Sequence, residues 1–135
     1  MRGRLARIAG AAQAMRREQS GATAAEFALV VPTFLLLVFG TINVGMAMSA
    51  VIQVHYAAQK AARCLSTDVT ATCTTGNIDT IAKGYYDGPG MTALTFSATA
   101  PACGNKVTGT GSYDLVTGFS STAVTITANA CYPNI

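Results

Sequence analysis

The feature that most constrains this chain is the run from Phe27 to Val54, which contains no Asp, Glu, Lys or Arg. A helix of that length, at about 1.5 Å of rise per residue, exceeds the ~20 residues that cross the ~30 Å hydrocarbon core of a bilayer. Its centre, "FALVVPTFLLLVFGTINVGMAM", is interrupted by Pro32, Gly40, Asn43 and Gly45. A membrane helix tolerates such interruptions, and small residues let neighbouring helices approach closely. Pro32 removes one backbone donor, so a kink is expected near Phe27 or Ala28. The span itself is expected at about residues 27–50.

Charge is distributed unevenly around this run. Only 11% of residues are charged, against about 25% in an ordinary soluble domain. Arg2, Arg4, Arg7, Arg16 and Arg17 precede the run and, against Glu18, leave residues 1–21 at +4. The remainder of the chain is therefore at −1, given the overall +3. Positive residues on one side of a span mark its cytoplasmic side. A basic character confined to a short leader does not describe a nucleic-acid-binding face, and no nucleic-acid partner is expected.

The helix is expected to continue past the span, from about Ala22 to about Arg63. In "MAMSAVIQVHYAAQKAARCL", Ala47, Val51, Val54, Ala58, Ala61 and Leu65 form one stripe at helical spacing, and Ser49, Gln53, Tyr56, Lys60 and Arg63 another. That is an amphipathic continuation, with Lys60 and Arg63 near the end where the macrodipole favours cations.

Residues 66–135 have a different texture. "NIDTIAKGYY" spaces Ile78, Ile81, Ala82 and Tyr85 as a short helix with Asn77 as its N-cap. "DGPG" at 87–90 reads as a turn. "MTALTFSATA" and "TAVTITANA" alternate apolar and polar residues as half-buried strands, and "KVTGTGSYDLV" reads as a strand weakened by glycine between them. The expected architecture is α+β: a long N-terminal transmembrane helix, then a small head with a short helix and a three-stranded antiparallel meander packed on the amphipathic segment. The expected division is a leader at 1–21, a long helix at 22–65 and a head at 66–135. A head of ~70 residues usually needs staples.

Cys64, Cys73, Cys103 and Cys131 all follow the span. None forms a C-x-x-C pair, and their spacings fit no common zinc pattern, so no metal is expected. An even count in a small segment favours disulfides and an oxidising compartment, which agrees with the charge-based orientation. Four cysteines allow three connectivities. A meander brings the ends of its first and third strands to one edge, which favours Cys103 with Cys131 and leaves Cys64 with Cys73.

No catalytic constellation emerges, and neither an enzyme nor a bound cofactor is expected. His55 is the only histidine and has no second ligand or carboxylate cluster near it in sequence. Asp68, Asp79, Asp87 and Asp114 are scattered at sites where turn and cap chemistry accounts for them. The Tyr85-Tyr86 pair reads as packing or surface aromatics. Neither G-x-S-x-G nor S-x-x-K nor a Walker A loop occurs.

The segment just before the span carries the most information. Thr23-Ala24-Ala25-Glu26 matches a capping box, which explains Glu26 as a helix-start residue but not Gly21 or the basic leader. A secretory signal peptide cut after Ala50 is the second reading. Its apolar stretch is too long for a signal h-region, and such a cut would split the amphipathic helix. The third reading comes from the pattern of basic leader, small residue, four residues, Glu, aromatic and apolar helix. "SGATAAEFALVVPTFLLLVFG" resembles the processing region of type IV pilin-like precursors. In detail it is similar to the TadE-like (TadE/TadF) minor pseudopilins of tight-adherence (Flp) pilus systems, with their G-x-x-x-x-E-F-A-L-x-x-P-x-x-L-L-L pattern. "YAAQKAARCL" and "ACGNKV" are similar to later segments of that family.

The resemblance implies cleavage between Gly21 and Ala22 by a membrane aspartyl prepilin peptidase. It makes Glu26 and Phe27 recognition and assembly residues. The implied partners are that peptidase, other pilins or pseudopilins, the pilus assembly platform and membrane lipid. The implied location is a bacterial inner membrane, N-terminus in the cytoplasm and C-terminus in the periplasm, with incorporation into an extracellular pilus as an option. A carboxylate at membrane depth costs roughly 2.5–3.5 kcal/mol unless it is interfacial or paired. A neighbouring subunit's new α-amino group would supply the pair for Glu26. The alternative is an uncleaved single-pass anchor whose extracytoplasmic head binds a ligand.

Overall fold

The computed structural model describes residues 2–68, 70–116 and 120–133, without the side chains of residues 2–20 and Ala22. Five elements follow in order: α1 (Arg2–Thr67), α2 (Ile78–Tyr85), β1 (Thr92–Thr99), β2 (Asn105–Val116) and β3 (Ser121–Tyr132). The chain is α+β, as its patterning predicts.

The first helix starts earlier than the sequence reading places it, at Arg2 rather than near Ala22. The leader is rich in Ala and Arg, with Gln and Met, which are strong helix formers. Thr23 is consequently inside a helix and is not an N-cap. Pro32 also lies within α1. Chain packing divides into two units, residues 1–38 and 39–135.

In the second unit the sheet has order β1-β2-β3, both pairings antiparallel, which is the expected meander. The pairing of β2 with β3 is continuous from Asn105 opposite Tyr132 to Val116 opposite Ser121. β1 is less regular. Its register shifts between Thr92 and Thr95, and Ala93 there has φ 53°. A left-handed residue at a register shift is the mark of a bulge.

The core joins the second half of α1 to one face of the sheet. Ala50, Val54, Ala57, Ala58, Ala61 and Ala62 of α1 are buried, with Ile78 and Ala82 of α2 and Phe96, Val107, Tyr113, Ile126 and Ala128 of the strands. The stripe read from sequence is present and broader than expected, because Ala50, Ala57 and Ala62 join it. Five of the six buried α1 residues are alanines, so this face offers mainly methyl groups to the sheet. Glycines in β2 make room for larger side chains around them. A Cβ on Gly109 would lie 2.4 Å from Phe96 Cε1 and 3.0 Å from Val54 Cγ1. Gly109, one of the glycines that weaken β2 as a strand, is therefore the seat for the Phe96 ring beneath α1.

Both pairs of cysteines are bonded: Cys64 with Cys73, Cα atoms 5.9 Å apart, and Cys103 with Cys131, 6.3 Å apart. The second bond joins the turn before β2 to the end of β3. Gly104, at φ +115°, follows Cys103 directly. A Cβ there would meet the Tyr132 carbonyl oxygen, so this turn requires glycine on both conformational and steric grounds. Ser66 at the end of α1 donates to the Tyr132 carbonyl (3.2 Å), and the Asn105 amide donates to Ser66 Oγ (3.1 Å). These bonds fasten the end of the helix to the paired ends of β2 and β3.

Candidate functional site

The residues singled out before the span all lie along α1. Ala22 and Glu26 are four residues apart, which places them on one helix face. Glu26 and Phe27 are exposed, Phe27 at 69%. A Cβ on Gly21 would meet nothing within 4 Å. Glycine in a helix costs about 1 kcal/mol relative to alanine, so Gly21 weakens α1 without easing any contact within the chain.

The same holds along the apolar run. Leu29, Val30, Phe34, Leu37, Phe39, Ile42 and Met48 are all exposed. This belt circles the helix, whereas the largest apolar patch of a soluble monomer rarely exceeds a few hundred Å². Among the described residues, α1 is the one helix long and apolar enough to cross a membrane. Gly40 and Gly45 also have open space where a Cβ would be. Among the described residues nothing makes use of their smallness, which suits close approach by another helix. The polar residues of the run are bonded within the helix. Thr33 Oγ1 donates to the Leu29 carbonyl (3.3 Å), and Asn43 Nδ2 donates to the Phe39 carbonyl (3.2 Å). This back-bonding satisfies these polar side chains within the helix itself.

In the head, two aspartates act as structural anchors rather than catalytic groups. Asp68 accepts from the backbone N–H of Thr70 (2.8 Å) and of Cys73 (2.6 Å), and from the hydroxyls of Thr70 and Thr72. Those hydroxyl and amide donors hold its carboxyl well below the usual range. The loop closed by Cys64 and Cys73 is thus organised around one carboxylate. Cys64, Asp68 and Cys73 offer donor atoms within 4.8 Å of one another, but both sulfurs are bonded to each other, leaving no thiolate to bind a metal.

Asn77 differs from the sequence expectation. It sits at the start of α2 but makes no side-chain cap. Its Oδ1 accepts from Thr74 N–H (2.7 Å), and its Nδ2 donates to the Thr72 carbonyl (2.8 Å). The amide has turned back to close the loop before α2, because that loop holds unpaired backbone groups of its own.

Asp79, expected to serve turn or cap chemistry, instead connects α2 to the sheet. It accepts from Lys83 Nζ (2.7 Å) and from the Phe96 backbone N–H (2.8 Å). Lys83 and then the Phe96 amide lower its pKa. A carboxylate bonding to a backbone 17 residues away leaves no local pattern in the sequence. Tyr86 is half-buried, and its hydroxyl donates to the Pro89 carbonyl across the expected turn. Burial, then Tyr113, pushes that phenol upward. His55 is exposed.

Comparison with known proteins agrees with this geometry. Residues 21–63 match the family model described as TadE-like protein. The match begins at Gly21 and ends at the last turns of α1, so it covers the exposed belt and the start of the amphipathic segment. No curated protein and no solved structure gives a significant match. The TadE-like family is not a known enzyme family. Over residues 21–63, about a third of the chain, the sequence is thus similar to TadE-like protein.

Proposed function

We propose that this chain is the precursor of a minor pseudopilin, cleaved between Gly21 and Ala22 by a prepilin peptidase and used in assembling a tight-adherence pilus. The observation that carries this reading is Gly21. It lies in a helix that it weakens, no neighbour excludes a larger side chain, and the TadE-like match starts at it. A peptidase needs the scissile bond extended. Glycine lowers the cost of unwinding α1 at that point by about 1 kcal/mol. In this reading residues 1–21 are cytoplasmic, about 27–50 cross the inner membrane, and the disulfide-bonded head is periplasmic.

Cleavage creates an α-amino group at Ala22, one turn from Glu26. Glu26 then pairs with the amine of a neighbouring subunit, which sets register while apolar helices pack through the open faces of Gly40 and Gly45. Pro32, which kinks a helix by removing a backbone donor, shapes that packing. N-terminal sequencing of the chain purified from its native membrane tests the reading. A start at ATAAEF supports it. A start at Met1 overturns processing and favours the membrane-anchored alternative, and a start near Val51 means secretion.

A further inference from the structure

The head has two sheet edges, and they are treated differently. Beside β1 lies α2, whose Asp79 takes up the Phe96 N–H at 2.8 Å. β3 pairs with β2 on one side, and no strand lies along its other side among the described residues. β3 is twelve residues long, "STAVTITANACY", with no charge and no proline. Natural edge strands are usually protected by Lys, Pro, a bulge or brevity, and β3 has none of these.

A cleft of about 450 Å³ runs beside the end of this strand. Its strand wall is the consecutive run Asn129, Ala130, Cys131 and Tyr132. Alternate residues of a strand point to opposite faces, so four in succession can line one cleft only along the strand's edge. The opposite wall is α1, including Lys60 and Arg63. These two cations are three residues apart and share a helix face, an unfavourable like-charge arrangement. Both are exposed, and the one ion pair among the described residues is Lys83 with Asp79. Lys60 rests 5.5 Å from the Tyr56 ring instead. The bond between Cys103 and Cys131 and the Ser66 bond to Tyr132 hold this end of β3 in place, so the edge is preformed.

We propose that the edge of β3 at residues 129–132 docks an extended, carboxylate-bearing segment of a partner protein. The segment adds as a fourth strand, with its carboxylate against Lys60 and Arg63. Backbone bonding to the edge supplies affinity, and the two cations select the acid. Lipid headgroups fit less well. Lys60 lies ten residues beyond the expected end of the span, about 15 Å of helix, and a lipid has no use for a strand edge. The inference rests on the head and not on processing at Gly21.

The test uses the full-length chain in zwitterionic lipid nanodiscs, with acetyl-TETVTETV-amide and acetyl-TQTVTQTV-amide as probes and amide hydrogen exchange as readout. The acidic peptide is expected to slow exchange along 125–132. Its affinity is expected to fall at least tenfold in a chain carrying Lys60→Glu and Arg63→Glu, and to a similar degree for the Gln peptide. Both replaced side chains are exposed, and unchanged tyrosine near-UV circular dichroism verifies that the variant is folded. No protection from the acidic peptide, protection at β1 instead, or equal affinity for both peptides and both chains overturns the proposal. It is also overturned if the double variant loses attachment to phosphatidylglycerol vesicles but binds the acidic peptide as before.

Discussion

Gly109→Ala tests the packing between α1 and the sheet. The new Cβ would lie 2.4 Å from Phe96 Cε1, 2.8 Å from Cδ1 and 3.0 Å from Val54 Cγ1. Phe96 is 4% exposed and Val54 fully buried, so neither has open space to move into. Gly104 is the one described glycine with positive φ, so the backbone at Gly109 accepts alanine without strain. Alanine then gains about 0.4–1 kcal/mol by restricting the unfolded chain, while overpacking costs about 1–3 kcal/mol. The expected net loss is about 1–2 kcal/mol, which for a head of this size lowers the melting temperature by about 4–8 °C per kcal/mol. The assay is thermal unfolding of the full-length chain in detergent, followed by near-UV circular dichroism of its five tyrosines, since it has no tryptophan. Phe96→Leu removes the ring edge. The double variant should therefore be less destabilised than the sum of the single variants, by at least ~0.5 kcal/mol of coupling. A Gly109→Ala chain as stable as the parent, or strictly additive variants, would refute the claim that this glycine seats the ring.

The chain-entropy relation puts the Cys103–Cys131 bond, spanning 28 residues, at about 3.5 kcal/mol and Cys64–Cys73, spanning 9, at about 2.5 kcal/mol. Denaturant unfolding of the two double-serine variants should rank them in that order. Asp79 has a depressed folded pKa, so its contribution is complete above the unfolded value near 3.9 and fades as pH falls through the folded value. Its side chain is 43% exposed, so Asp79→Asn should cost only about 0.5 kcal/mol near neutrality. That variant should also show a flatter stability profile below about pH 4, and an unchanged acid profile would exclude the linkage. Glu26→Gln should leave membrane insertion intact while impairing entry into the pilus, read by alkaline extraction of membranes and immunoblotting of sheared pili. Normal incorporation of the variant would remove Glu26 from assembly.

Much of this architecture is visible in one dimension because its causes are periodic. A charge-free run longer than a bilayer is thick has few alternatives to a spanning helix. The amphipathic spacing after it marks the face that meets the head. Period-two alternation around Phe96 and Ile126 marks two strands, and even the weak pattern around Gly109 and Gly111 produces the third. The cysteine pairing follows because a meander has few ways of bringing strand ends together. The helical leader was missed: the T-x-x-E motif placed the helix start near Ala22, whereas α1 runs from Arg2 through a segment of Ala, Arg, Gln and Met, all good helix formers.

The sequence alone therefore determined a helix long and apolar enough to cross a membrane, the α+β class and the strand order. All of these depend on residue spacing along the chain. Tertiary structure decided what spacing cannot encode. It joined Asp79 to the Phe96 backbone. It also made Gly109 a seat for Phe96 and placed Lys60 and Arg63 beside the open edge of β3. Each of these depends on contacts between different secondary-structure elements, and such contacts exist only once the helices and strands have packed together.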